Sequence, residues 1–288
     1  MLQPRVGDPL DVLDTPAMLV DLTLMEANIA KLMERFRGSK VQVRPHLKTV
    51  KSAALARLLL AAGAVGGCVA KVSEAEALVQ DGIDDLLITT EIVGKPKLKR
   101  LVGLVQQSPH IKVVVDSLAG AQALNQAMRE AQQHIDVLLD LNVGQNRCGV
   151  LPGEEALRLA HALRELSHLH LRGIQGYEGH LQHIHHSEER AQRCREAMHL
   201  LTETATQLKA AGFAMEIVST GGTGTAEICA RCEGVTEVQP GSFVFMDTDY
   251  RNAIGPRYAN ALTILSTVIS RPAPTRAVID AGLKSLST

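Results

Sequence analysis

From residue 41 onward, short β-branched apolar runs alternate with longer stretches in which apolar residues recur every three or four positions. The first pattern suits a strand buried on both faces, and the second is the stripe of an amphipathic helix. Eight such runs can be counted: Val41 to Pro45, Gly67 to Lys71, Asp85 to Thr89, Lys112 to Asp116, Asp136 to Asn142, Leu171 to Tyr177, Glu216 to Thr220 and Glu237 to Pro240. Between them the periodicity predicts helices over Lys51 to Ala62, Ser73 to Gln80, Lys95 to Gln107, Ser117 to Glu130, Glu154 to Leu166 and Glu188 to Ala211, and a short one near Ala226 to Arg231. A further helix, Leu24 to Phe36, precedes the first run, with Asp21 or Thr23 placed to cap it. Eight parallel strands alternating with helices predict a (β/α)₈ barrel of the TIM type. An open doubly wound sheet fits less well, because no G-x-G-x-x-G follows the first strand.

Three apolar stretches fall outside this count: Ala17 to Asp21, Ala261 to Ile269 and Ala277 to Asp280. No helices separate them, so they are expected to pair with one another as antiparallel strands. The expected organisation is a barrel over residues 24–257 and an incomplete second β-domain formed by residues 1–23 and 258–288. Three strands make a poor independent unit, and further strands are expected beyond Thr288.

Composition narrows the function. The 288 residues carry 30 basic and 31 acidic side chains, a net charge of −1, which removes the drive for neutralising phosphates along a nucleic acid. With no Trp, four Phe and three Tyr, platforms for stacking bases are nearly absent, and a small-molecule site is the better expectation. No window approaches the roughly 18 uninterrupted apolar residues of a membrane span, and no basic stretch leads into an apolar run at the start. A cytoplasmic, membrane-free protein is therefore expected. Five cysteines at irregular spacing argue against a disulfide framework, and the Cys229/Cys232 C-x-x-C pair lacks the second pair of a structural zinc site, so unpaired thiols are expected.

In such a barrel the active site lies at the C-terminal ends of the strands. The first strand ends Arg44-Pro45-His46-Leu47-Lys48-Thr49. A lysine there either is a solvated loop residue or, partly desolvated, offers an amine for Schiff-base formation. The seventh ends Ser219-Thr220-Gly221-Gly222-Thr223-Gly224-Thr225 and the eighth Gln239-Pro240-Gly241-Ser242. Two adjacent turns rich in glycine and hydroxyls make a phosphate cup at the usual barrel position, a stronger signal together than apart. The fifth strand end brings Arg147, as a ligand cation or a surface ion-pair partner. The sixth brings Gln175, Tyr177 and His180, followed by Gln182, His183, His185 and His186. The tyrosine could bond a ligand or move a proton, and the histidines could bind a metal or merely open a helix at the surface.

These features together resemble the fold-type III pyridoxal phosphate enzymes, the alanine-racemase-like barrels. Within that group the strings Arg44-Pro45-His46-Leu47-Lys48-Thr49, Asn146-Arg147-Cys148-Gly149, Gly176-Tyr177-Glu178-Gly179-His180, Ser219-Thr220-Gly221-Gly222-Thr223 and Pro240-Gly241-Ser242-Phe243-Val244-Phe245-Met246-Asp247 are similar to the D-threonine aldolase and eukaryotic-type D-serine dehydratase family. Asp14-Thr15-Pro16 and Val278-Ile279-Asp280-Ala281-Gly282 extend the likeness over essentially the whole chain.

The resemblance implies that Lys48 holds pyridoxal 5′-phosphate as a Schiff base, Arg147 faces its phenolic oxygen, Tyr177 lies beside the ring, and Gly222, Thr223, Gly241 and Ser242 hold the phosphate. It implies Lys48, Tyr177 and His180 as catalytic residues and adds Gln175 to the cofactor's surroundings. Gln239 stands where alanine racemases carry an arginine against the pyridine nitrogen, so the ring's electron demand differs from that of a plain racemase. The family carries a divalent metal on a His-x-Asp or His-x-Cys pair in a C-terminal segment, and this sequence has no such segment, so no metal site is expected within these residues. The implied reaction is cleavage of a β-hydroxy-D-amino acid to glycine and an aldehyde. Elimination by a D-serine or 3-hydroxyaspartate dehydratase is the alternative, and a non-catalytic cofactor carrier the rival of another class. A homodimer is implied.

Overall fold

The computed structural model describes residues 4–285. After a 3₁₀ turn at Leu10–Val12, the first strand is β1 (Ala17–Val20) and the first α-helix α1 (Leu22–Phe36). Asp21 caps the helix by accepting from the Leu24 N–H at 3.0 Å, which satisfies one of the donors a helix start leaves free. Asp21 rather than Thr23 is therefore the cap, and the helix begins two residues before the predicted Leu24. Met25, Ile29, Leu32 and Phe36 fall on one stripe and are buried.

Strands and helices then alternate: β2 (Gln42–Val43), α2 (Ala53–Ala61), β3 (Gly67–Val69), α3 (Val72–Gln80), β4 (Leu86–Ile88), α4 (Lys95–Gln107), β5 (Lys112–Val115), α5 (Leu118–Glu130), β6 (Ile135–Asp140), α6 (Glu154–Leu163), β7 (Leu169–Gln175), α7 (Ser187–Ala210), β8 (Ile217–Thr220), α8 (Ala226–Cys229) and β9 (Glu237–Val238). Each of the eight apolar runs holds one strand of a parallel sheet in the order β2-β9-β8-β7-β6-β5-β4-β3. The ends meet where Leu47 N–H donates to Cys68 O at 2.7 Å and Cys68 N–H donates to Pro45 O at 2.9 Å. The expected (β/α)₈ barrel is thus the fold.

Side-chain alternation along the strands explains why the runs are apolar on both faces. Leu86 and Ile88, Val113 and Val115, and Val137 and Leu139 pack in the main core with the helices. Their intervening neighbours Leu87, Val114 and Leu138 join Cys68 in a separate small cluster, with Ile217 against it. The other half of the barrel, β2, β9, β8 and β7, places Arg44, Glu237, Ser219, Gln175 and Gln239 in buried positions instead.

After β9 come a helix that the periodicity did not predict, α9 (Thr248–Ile254), and three strands, β10 (Leu262–Leu265), β11 (Val268–Ala273) and β12 (Arg276–Ile279). The run expected as one strand over Ala261 to Ile269 is two, broken at Ser266 and Thr267, because each half has its own partner. β10 pairs antiparallel with β1, as expected of the flanks, while β11 folds back on β12 as a hairpin. Thr15 and Asp280 join the two pairs: the Thr15 hydroxyl donates to Asp280 Oδ2 at 2.5 Å, and the Thr267 N–H donates to Oδ1 at 2.9 Å. Among the described residues no helix is long and apolar enough to cross a membrane, and the five thiols are free.

Two glycines test this packing with opposite signs. A Cβ on Gly173 of β7 would overlap the Ile217 carbonyl of β8, whereas one on Gly103 of α4 meets nothing within 4 Å. Gly173→Ala should lower the unfolding free energy by about 3 kcal/mol, and Gly103→Ala should raise it by roughly 0.5–1 kcal/mol, both read by chemical denaturation.

Candidate active site

One cavity at the C-terminal ends of the barrel strands collects all eight residues put forward for the cofactor: Lys48, Arg147, Gln175, Tyr177, Gly222, Thr223, Gly241 and Ser242. His180 is placed otherwise. It is exposed in the short 3₁₀ turn Gly179–Leu181, its ring over Gly144, and does not line the cavity.

Lys48 follows the hydrogen bonds that close the barrel and stands at the mouth. Burial, and after it the Arg147 guanidinium, lower its amine below the ordinary lysine value. His46, two residues before, is pushed down to about 3, by burial first and then by Lys48 and Arg147, and so is neutral. Its Nδ1 accepts from the Lys48 backbone N–H at 3.4 Å, which leaves Nε2–H to donate to the Thr89 hydroxyl at 3.1 Å. The Thr89 hydroxyl in turn donates to Val69 O at 3.2 Å, so this wall is fixed in one tautomer.

Arg147 projects from the loop after β6. Asn142 pins that loop by accepting from the Gly144 and Asn146 N–H groups at 3.1 and 3.0 Å, and Asn146 adopts the left-handed backbone that asparagine tolerates. The guanidinium carbon lies 5.7 Å from the centre of the Tyr177 ring. Burial, and then Glu178, push the Tyr177 phenol up to about 12, which keeps it a neutral donor. Tyr250 on α9 lines the same cavity and donates its hydroxyl to Gln182 Oε1 at 3.4 Å, and burial drives its phenol further upward.

The glycine-rich turn after β8 works differently from the expected cup. Glu178, fully buried, accepts from Gly221 N–H at 3.2 Å, Gly222 N–H at 3.3 Å, the Thr220 hydroxyl at 2.9 Å, Gln182 Nε2 at 3.0 Å and the Thr225 hydroxyl. The Gly222 N–H is therefore already engaged, and Gly224 N–H donates to Gln182 Oε1 at 2.9 Å. A Cβ on Gly222 would press on the Gln182 amide, so this glycine serves the close approach of the turn to Gln182. The Thr223, Gly241 and Ser242 N–H groups have no partner among the described residues. With the Ser242 hydroxyl they are the donors that fit a phosphate.

The buried floor is a chain of side-chain hydrogen bonds. Gln175 Nε2 donates to Asp140 Oδ1 at 3.0 Å, and Gln239 Nε2 donates both to Gln175 Oε1 at 2.9 Å and to Ser219 Oγ at 2.7 Å. Ser219 donates to Glu237 Oε1 at 2.7 Å, and Glu237 is ion-paired with buried Arg44 at 3.1 Å. Burial in the first place, with Glu91 adding to it, pushes Asp140 up to about 7.

Thus an amine, a guanidinium, a neutral phenol, free backbone donors and a polar floor share one cavity, and these residues fit pyridoxal phosphate. A divalent metal fits less well. No group of three His, Cys, Asp or Glu side chains able to hold one occurs among the described residues, and His183 packs instead on the Tyr250 ring at 4.5 Å. The sequence reading assigned no role to His46, Thr89, Glu178 or Tyr250. Tyr250 had a signal, being one of three tyrosines and lying just past the eighth strand end; the other three show their roles only through partners distant along the chain.

Residues 20–249 match the family described as alanine racemase, N-terminal domain, and residues 261–288 the putative serine dehydratase domain. D-threonine aldolase of an Arthrobacter species is 42% identical over 282 residues, covering 97% of this chain and 74% of that protein. D-threo-3-hydroxyaspartate dehydratase of a Delftia species is 34% identical over 286 residues, covering 97% and 74%. The crystal structure of D-threonine aldolase from Filomicrobium marinum superposes with a TM-score of 0.95 at 39% identity, covering 99% of this chain and 77% of that one. The chain therefore belongs to the alanine-racemase-like, fold-type III family, in the branch that includes the D-threonine aldolases and the hydroxyaspartate dehydratases.

Proposed function

We propose that this chain is a pyridoxal phosphate-dependent lyase that cleaves β-hydroxy-D-amino acids between Cα and Cβ, giving glycine and an aldehyde, with D-threonine as the reference substrate. The observation that carries the reading is the gathering of Lys48, Arg147, Tyr177 and the free donors of Thr223, Gly241 and Ser242 on one cavity. Its likeness to a D-threonine aldolase supports the choice of reaction.

When bound, pyridoxal phosphate supplies an electron sink for the pair released at Cα. Lys48, its amine lowered by burial, is the group that would attach it. Thr223, Gly241 and Ser242 would hold the phosphate and Arg147 the phenolic oxygen. Tyr177, neutral over the working pH range, keeps a proton at its hydroxyl to donate into the cavity. His46 stays neutral between two cations, orients the Lys48 backbone, and keeps a further positive charge out of the wall. A cytoplasmic homodimer is part of the same proposal, supported by the free thiols and by the apolar Met18, Val268 and Ile269, which β1 and β11 leave exposed.

Incubation with D-threonine and added cofactor should yield acetaldehyde and glycine in equal amounts. Formation of 2-oxobutyrate instead would mark a dehydratase, and no turnover with cofactor bound would mark a carrier. Lys48→Ala should abolish the visible band of the bound cofactor and lower turnover by on the order of 10³-fold. For His46, the unfolded chain binds a proton below the ordinary value of 6.5, and the folded chain only below about 3. The folded state therefore loses stability as pH falls through this window, by about 1.4 kcal/mol per pH unit from this residue. His46→Gln should flatten the dependence of the unfolding free energy on pH between those values by one proton's worth, measured by denaturant titrations.

A further inference from the structure

We propose that Asp140 and Glu237, at the two ends of the floor chain, are positioning residues that hold the Gln239 amide with its carbonyl oxygen turned into the cavity. The floor then accepts a hydrogen bond from a ring N–H and offers none. The inference rests on the cofactor reading above and deepens it.

The direction of each bond follows from which groups have protons to give. Glu237 is paired with Arg44 through both carboxylate oxygens, at 3.2 and 3.1 Å, and accepts from Ser219 at 2.7 Å. Ser219 has one proton and spends it there, so toward Gln239 its oxygen can only accept, and it does so at 2.7 Å. At the other end any proton on Asp140 lies toward the Glu91 carboxylate, so its Oδ1 accepts from Gln175 Nε2 at 3.0 Å, which turns Gln175 Oε1 toward Gln239 as a second acceptor at 2.9 Å. Both N–H bonds of the Gln239 amide are thereby used, and the atom left over is its carbonyl oxygen. A flipped Gln239 would set oxygen against oxygen at Gln175 and at Ser219 inside a buried site, at a cost of about 1–3 kcal/mol for each unmade bond.

Gln239 is 6% exposed and Gln175 1%, so the pair lies deep, while Lys48 stands at the mouth. In pyridoxal phosphate the ring nitrogen is para to the ring carbon that bears the aldehyde, so a ring attached at Lys48 would carry its nitrogen on the side away from Lys48, and Gln239 lines the same cavity. A carbonyl oxygen there is a partner for a protonated ring nitrogen and repels the lone pair of an unprotonated one. The floor thus selects the electron-poor form of the ring, the better acceptor of charge from Cα.

The test loads wild-type and variant protein with pyridoxal phosphate isotopically labelled at the ring nitrogen and follows its nitrogen chemical shift against pH. The visible band reports binding independently of activity. The wild type should show a protonated nitrogen at neutral pH. The double variant Asp140→Asn/Ser219→Ala, which frees the amide at both ends, should bind cofactor with the ratio of protonated to unprotonated nitrogen about tenfold lower, one pH unit in its titration. Should the double variant not fold, Gln239→Leu removes the acceptor itself and should give the same shift. A wild type that binds cofactor with an unprotonated nitrogen, or a folded variant that keeps the wild-type titration, overturns the proposal and leaves the cofactor reading intact. A wild type that takes up no cofactor overturns both.

Discussion

Two backbone hydrogen bonds of Cys68, its O accepting from Leu47 N–H and its N–H donating to Pro45 O, complete the closure of the barrel, and everything at the mouth depends on them. A parallel sheet left open between β2 and β3 would expose backbone donors and acceptors at both edges. Closure satisfies them and at the same time fixes where β2 ends. His46 and Lys48 flank Leu47, so the residue that closes the ring also sets the position of the amine and of the imidazole that accepts from the Lys48 backbone N–H.

The interior of this ring is not uniform. Leu87, Val114, Leu138 and Cys68 fill one side with aliphatic and thiol groups, while the other holds Arg44, Glu237, Ser219, Gln239, Gln175 and Asp140 in one bonded series. Burying so many polar atoms is tolerable because each bond along the series gives the next group its partner. The same economy appears at Glu178, a fully buried carboxylate that collects two backbone N–H groups, two hydroxyls and an amide. It shapes the turn after β8 so that donors further along, at Thr223 and beyond, are left for an anion.

Much of this was legible in the chain. The eight strands, the helices between them and the concentration of Lys48, Arg147, Tyr177, Thr223 and Ser242 at strand ends follow from local periodicity and from the barrel's polarity. The division of Ala261 to Ile269 into β10 and β11 was not legible, because an apolar run does not record which strand each half will pair with. His180 looked equivalent to Tyr177 three residues earlier, yet the 3₁₀ turn after Glu178 rotates it out to solvent.

What the sequence by itself determined is the succession of elements and the chemistry presented at their ends, since both arise from residues within a few positions of one another. What only the tertiary structure decided is how the hydrogen bonds are shared. Gly222 N–H goes to Glu178, 44 residues away, and the Gln239 amide to Gln175, 64 residues away. Donors and acceptors compete by distance in space, and residues so far apart along the chain become neighbours only when the barrel closes.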